Sequence, residues 1–231
     1  MNLSYTYLLL DFLSILFPVL LSFDKKVAFY KSWKYLFPSI LLTGIFFIIW
    51  DIIFTANGVW GFNPKYIIGF YIFNLPIEEV LFFLCVPYSC VFIYAVLSSY
   101  FERDIIKHPK IISIILAILT FLLAILYYDK LYTLVNAGVC SILIVLTTFI
   151  YKFKYLGKFY LAYIVSLIPF LICNGILTAL PIVSYNDHEN MAFRIFTIPF
   201  EDLFYCLSLL LSNVFLMEYF KQYKTSKDVN S

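Results

Sequence analysis

The chain has 231 residues, 63% of them hydrophobic and 13% charged, with 26 Phe and 20 Tyr. A soluble domain of that length needs far more polar surface, so the composition predicts an all-α integral membrane protein. The net charge of +2 points to no nucleic-acid partner, and the seven scattered glycines form no GxGxxG or P-loop fingerprint, so no nucleotide or flavin held by such a loop is expected.

A spanning helix needs roughly 20 mostly apolar residues. Seven stretches supply them, at about 3–22, 36–56, 75–97, 111–128, 132–151, 159–180 and 195–217. The first has no basic leading segment and no small-residue cleavage site, so it reads as a retained helix and not a signal peptide. It carries Asp11, which in lipid is costly unless hydrogen-bonded or functional, and both readings fit. The second stretch ends in WDIIFTA, which places Asp51 near the end of the helix. GVWGFNPKY follows at 58–66, where Gly58, Gly61 and Asn63-Pro64 supply turn chemistry, and Trp60 and Phe62 suit a membrane interface. This segment reads either as an ordered connection or as a lid over nearby carboxylates.

The third stretch opens with LPIEEVLFF at 75–83. A proline followed by an acid fits a first helical turn, where the carboxylate complements the exposed N–H groups and the helix dipole. Glu78 and Glu79, however, point about 100° apart on a helix. One cap cannot use both, so the spare carboxylate must face a partner, water or a cavity. The fourth and fifth stretches carry no comparable motif. The seventh stretch contains IPFEDLFY at 198–205, so Pro76, Glu78, Glu79 and Phe82 are answered by Pro199, Glu201, Asp202 and Tyr205, 123 residues later. At the same offset Asp51 maps onto Asn174, Thr55 onto Thr178, Ala56 onto Ala179 and Asn63 onto Asn186. A weaker match pairs YLLLD at 7–11 with YTLVN at 132–136, at an offset of 125. Helices 1–3 and 5–7 thus read as two copies of one unit, residues 1–100 and 131–231, joined by a connecting helix within 101–130.

Basic residues set an expected orientation. Lys25, Lys26, Lys31, Lys34, Arg103, Lys107, Lys110, Lys152, Lys154, Lys158, Lys221, Lys224 and Lys227 follow odd-numbered helices, against Lys65, Lys130 and Arg194 on the other side. The positive-inside rule then puts the N-terminus outside and the C-terminus in the cytoplasm. Two units in the same orientation are related by a pseudo-two-fold axis along the membrane normal, which brings both acidic motifs to one depth. Cys85, Cys90, Cys140, Cys173 and Cys206 lie in apolar stretches without metal-ligand spacing and read as packing residues, and His108 and His188 lie in connections, so no metal is expected.

Paired carboxylates in a dry site cannot both ionise easily, so one remains a proton donor while its neighbour can accept a proton. Phe82, Phe83, Phe204 and Tyr205 lie within a turn of the acids, and π faces can hold a cation that has no hydration shell. Such parts suit a reaction that protonates a carbon–carbon double bond, holds the carbocation and removes another proton.

The run WDIIFTANGVWGFNPKYIIGFYIFNLPIEEVLFF, then VPYSCVFIY at 86–94 and IPFEDLFY, resembles the small membrane-bound lycopene cyclases of the heterodimeric type. The duplication implies the fused form of that family. The second copy departs from the pattern at 181–187, where PIVSYND stands in place of a GVWGFNP-like loop. The resemblance implies an intramolecular lyase of carotenoid biosynthesis in a bacterial cytoplasmic membrane. It would need no cofactor and would turn the open ends of lycopene into β-rings, through γ-carotene to β-carotene. It implies Glu78, Glu79, Glu201 and Asp202 as the catalytic acids; the reading of the residues themselves adds Asp11, Asp51, Asn174, Trp60, Asn63 and the four aromatic residues above as support. Lycopene and related carotenoids, the bilayer and neighbouring pathway enzymes are the implied partners, and nucleic acid is not among them. Lycopene is about as long as the hydrocarbon core is thick, roughly 30 Å, so a single site would treat one end at a time. The rival readings are a proton-coupled carrier, for which Pro87 and Pro169 would interrupt helices 3 and 6, and a non-catalytic carotenoid-binding protein.

Overall fold

The computed structural model describes residues 3–101 and 103–229. Among these residues seven helices are long and apolar enough to cross a membrane. They are α1 (Thr6–Leu21), α2 (Trp33–Ala56), α3 (Ile77–Tyr100), α4 (Pro109–Leu126), α5 (Leu131–Val145, continued by a wide turn to Ile150), α6 (Leu156–Ala179) and α7 (Glu201–Val229). Ile118 and Phe121 on α4, Leu41 and Ile45 on α2, and Ile168 and Ile172 on α6 are exposed, as lipid-facing side chains should be. α3 and α6 run unbroken through Pro87 and Pro169, contrary to the expected interruptions. In a packed bundle, neighbouring helices sustain a spanning helix that has lost one N–H donor.

α3 and α7 form the centre of the bundle. Each is held by the first helix of its own repeat, α1 on α3 and α5 on α7, and by the second helix of the other repeat, α6 on α3 and α2 on α7. The two halves therefore interlock and do not sit side by side. α4 packs against α5 and the edge of α6.

Three short antiparallel ribbons lie in the connections: β1 (Trp60–Phe62) with β4 (Val183–Tyr185), β2 (Tyr71–Ile72) with β3 (Leu75–Pro76), and β5 (Arg194–Ile195) with β6 (Ile198–Pro199). The last of these corrects the expected start of the seventh helix. Residues 194–199 are a hairpin, so α7 begins at Glu201 and not near 195. The hairpin tips Phe73 and Phe196 are repeat equivalents, both with left-handed backbone (φ 57° and 56°) and 84% and 95% exposed.

β1 and β4 pair across the two repeats, with Trp60 opposite Tyr185, Gly61 opposite Ser184 and Phe62 opposite Val183. At the offset of 123, Gly61 and Ser184 are each other's equivalents, so the pseudo-two-fold axis passes through that pair. The flanking main-chain bonds obey the same symmetry. Asn63 N–H donates to the Ile182 carbonyl and Asn186 N–H to the Val59 carbonyl, both at 2.9 Å. The PIVSYND segment thus forms the same ribbon as GVWGFNP without its sequence, because ladder hydrogen bonds use main-chain groups that every residue other than proline carries in full.

Candidate active site

The ribbon of β1 and β4 is the roof of a central cavity. Side chains alternate along a strand, so Trp60 and Phe62 of β1 and Val183 and Tyr185 of β4 face inward, while Ser184 is exposed. The cavity, of about 50 Å³, is walled by Tyr7, Asp51, Glu79, Asn174 and Asp202, and by the rings of Phe82, Tyr132, Phe170 and Tyr205.

Helix geometry divides the four motif acids into two pairs. Glu78 and Glu201 turn back to the loop that precedes their helix. Glu78 Oε1 accepts from the Ile68 N–H at 2.7 Å, and Glu201 Oε1 accepts from the Met191 N–H at 2.7 Å and from the Thr133 hydroxyl at 2.6 Å. Both carboxyls are buried and neither belongs to the cavity wall. Glu79 and Asp202, about 100° further round their helices, face the cavity. The Tyr7 hydroxyl donates to Glu79 Oε2 at 2.6 Å, and its repeat counterpart Tyr132 donates to Asp202 Oδ1 at 2.5 Å.

Beyond that matched pair the halves differ. Asp202 Oδ2 also accepts from Asn174 Nδ2 at 2.6 Å and from the Tyr185 hydroxyl at 3.0 Å, so three donors converge on one carboxyl group. Burial, reinforced by the charge of Asp202, holds the Tyr185 hydroxyl well above the ordinary tyrosine range and so keeps it a donor. The equivalent of Asn174 on the other side is Asp51. Asp51 shares the cavity wall with Glu79 and Trp60, and its Oδ2 is buried with no hydrogen-bond partner among the described residues. A third exchange of acid for amide lies deeper. Asp11 is 2% exposed with neither oxygen partnered among the described residues, whereas its counterpart Asn136 donates to the Glu201 carbonyl at 2.6 Å. The first repeat thus brings Asp11, Asp51 and Glu79, and the second brings Asn136, Asn174 and Asp202.

Of the expected supporting residues, Asp51, Asn174, Trp60, Phe82 and Tyr205 line the cavity. Asn63 stays in its loop, where its side chain accepts from the Lys65 N–H at 3.1 Å. Phe83 lies behind the wall against Phe47 and Tyr205, with ring centroids 6.2 and 6.5 Å apart, and Phe204 meets Phe200 edge-on at 5.4 Å. Sequence reasoning did not single out Tyr7, Tyr132, Tyr185 or Phe170. A signal for the first two was present, since they are the leading residues of the matched segments YLLLD and YTLVN.

The arrangement can give a proton to an apolar guest, hold positive charge between a carboxylate and aromatic faces, and take a proton back. A family model described as Lycopene cyclase matches residues 4–97 and again 129–220, that is, both repeats without α4. No curated protein and no solved structure matched the chain.

Proposed function

This chain belongs to the lycopene cyclase family, and on that premise we propose that it converts the open ends of lycopene into β-rings by a redox-neutral, proton-initiated cyclisation in the membrane. The observation that carries the reading is the unequal hydrogen bonding of the two cavity-facing carboxyls, one donor on Glu79 against three on Asp202.

Hydrogen bonds donated to a carboxylate favour its charged form, which casts Asp202 as the proton acceptor. Glu79 shares the cavity wall with a second acid, Asp51, where the other repeat supplies an amide. Two close carboxyls share a proton, which casts this pair as the donor. Glu79 protonates C2 of the terminal double bond and leaves a cation at C1. The C5–C6 double bond attacks C1, the C1–C6 bond forms and the charge moves to C5. Asp202 removes the C6 proton, and C5 and C6 regain a double bond. Substrate and product are isomers. The enzyme resets when Asp202 gives up its proton to solvent and Glu79 takes one from it between turnovers. Phe82, Phe170 and Tyr205 offer ring faces to the intermediate cation. The distribution of Lys and Arg supports an outward-facing roof and N-terminus.

The test is expression in lycopene-accumulating membranes, with chromatography of the pigments after incubation in heavy water. One solvent deuterium per ring formed is expected. Unchanged lycopene beside intact protein, or rings without solvent deuterium, would overturn the proposal.

A further inference from the structure

The acid cavity, of about 50 Å³, is too small to hold a long guest, and a larger cavity lies directly beside it. Phe82, Phe170 and Asn174 of its wall also line a second cavity of about 290 Å³ between α1, α3 and α6. That cleft is bounded by Leu10, Leu13, Val86, Ile93, Cys173 and Ile176, which are apolar or weakly polar side chains. Leu13 and Ile172 at its margin are exposed on the lipid-facing surface. The cleft therefore runs from the hydrocarbon phase to the wall of Phe82, Phe170 and Asn174 that it shares with the acid cavity, without crossing a headgroup layer.

The second repeat lacks the means to form the same passage. The equivalents of Phe82, Phe170 and Cys173 are Tyr205, Phe47 and Trp50. Their rings fill the corresponding space, with Phe47 stacked on Trp50 at 5.5 Å, Trp50 against Tyr205 at 5.2 Å and Phe47 against Tyr205 at 5.0 Å. The exchange of Cys173 for Trp50 is the largest change of volume among these pairs.

We propose that the cleft between α1 and α6 is a lateral door for a linear polyene hydrocarbon, whose unreacted chain lies along it while one end group sits under the ribbon roof. The identity of the cargo rests on the cyclase reading; the route rests on the cleft. The Trp50 cluster seals the symmetry-related route, so the protein admits one end through one door. A doubly cyclised product then requires the chain to withdraw and return reversed.

Cys173→Trp copies the seal into the door. It should slow ring formation roughly tenfold or more, the scale of overpacking a site with one large ring. Ile168→Trp on the lipid-facing side of α6 should leave the rate unchanged. A binding readout stands apart from turnover and from the folding of the Trp variant. Photoreactive benzoylphenylalanine is placed at position 13 or 168 in the Glu79→Gln protein, irradiated in membranes with saturating lycopene and read by intact mass. A polyene adduct at position 13 and lipid adducts at position 168 are expected. Lipid adducts at position 13 would make the cleft a lipid seat and overturn the door, as would full activity in the Cys173→Trp protein. If the wild-type protein forms no rings, the cyclase reading fails by itself, and the adduct at position 13 still decides the route.

Discussion

Glu79→Gln set beside Glu78→Gln assigns to one of two adjacent acids the role that the sequence alone leaves open between them. Gln at 79 keeps the size of the side chain and can still accept from the Tyr7 hydroxyl, which lies 2.6 Å from Oε2 in the native protein. It cannot deliver a proton to carbon. Positioned acid–base groups contribute about 10²- to 10⁴-fold, equivalent to roughly 3–5 kcal/mol at about 1.4 kcal/mol per tenfold, and a loss of that size is expected. Gln at 78 retains a carbonyl oxygen for the Ile68 N–H, 2.7 Å from Oε1. At most about 1 kcal/mol, the net worth of one hydrogen bond, is at stake there, and the change lies away from the cavity wall. Ring formation should stay within about fivefold of the native rate. Initial rates are measured in membranes with matched protein content, by pigment extraction and chromatography. A Glu79→Gln protein within tenfold of wild type, or a Glu78→Gln protein as inactive as Glu79→Gln while intact, would refute the division of roles.

Tyr132→Phe removes one of the three donors to Asp202. A hydrogen bond to a charged group is worth about 1.5–3 kcal/mol, so initial rates should fall roughly 10- to 100-fold, and an unchanged rate would contradict the acceptor role. Asp51→Asn gives the first repeat the amide of the second, which would donate to Glu79 as Asn174 donates to Asp202 and hold Glu79 as an anion. Rates should drop about 10²-fold, and an active Asp51→Asn protein would remove the shared-proton pair. Asn136→Leu leaves the buried Glu201 carbonyl without its 2.6 Å donor, a destabilisation of about 1–3 kcal/mol to be read as a lower unfolding midpoint in detergent, with the ring type of the product unchanged.

The helices were legible because hydrocarbon thickness fixes their length and apolar composition marks them. The repeat was legible because the paired acids recur with their proline at one offset. The angle between neighbouring helical residues also implied that Glu78 and Glu79 could not share one job. What stayed hidden was the partner of each acid. Tyr7 and Glu79 are 72 residues apart, and Tyr132 and Asp202 are 70 apart, so only the packing of α1 on α3 and of α5 on α7 brings them together. The start of α7 was misread because a two-residue strand pair, Arg194–Ile195 with Ile198–Pro199, is too short for a periodic pattern, and its apolar residues extend the helix's own run. The second half of the roof was hidden for the opposite reason. PIVSYND keeps Asn186, the counterpart of Asn63, but lacks the glycines and the tryptophan of GVWGFNP, yet its main chain makes the same ladder.

The pairing of Gly61 with Ser184 has a historical reading. A contact that maps onto itself under a two-fold rotation is isologous, and two identical chains can form it. The strand pair, together with the crossed packing of α2 on α7 and α6 on α3, is the kind of seam by which a half-length ancestor would have joined a copy of itself. Such a homodimer would have carried the same residue at both of its equivalents of Asp51 and Asn174, and the same residue at both equivalents of Cys173 and Trp50. Different residues at equivalent positions, and with them the unequal donors on Glu79 and Asp202, become possible only when the halves are encoded separately. Duplication therefore supplied this protein with a second set of helices and also with the freedom to make its two sides unlike.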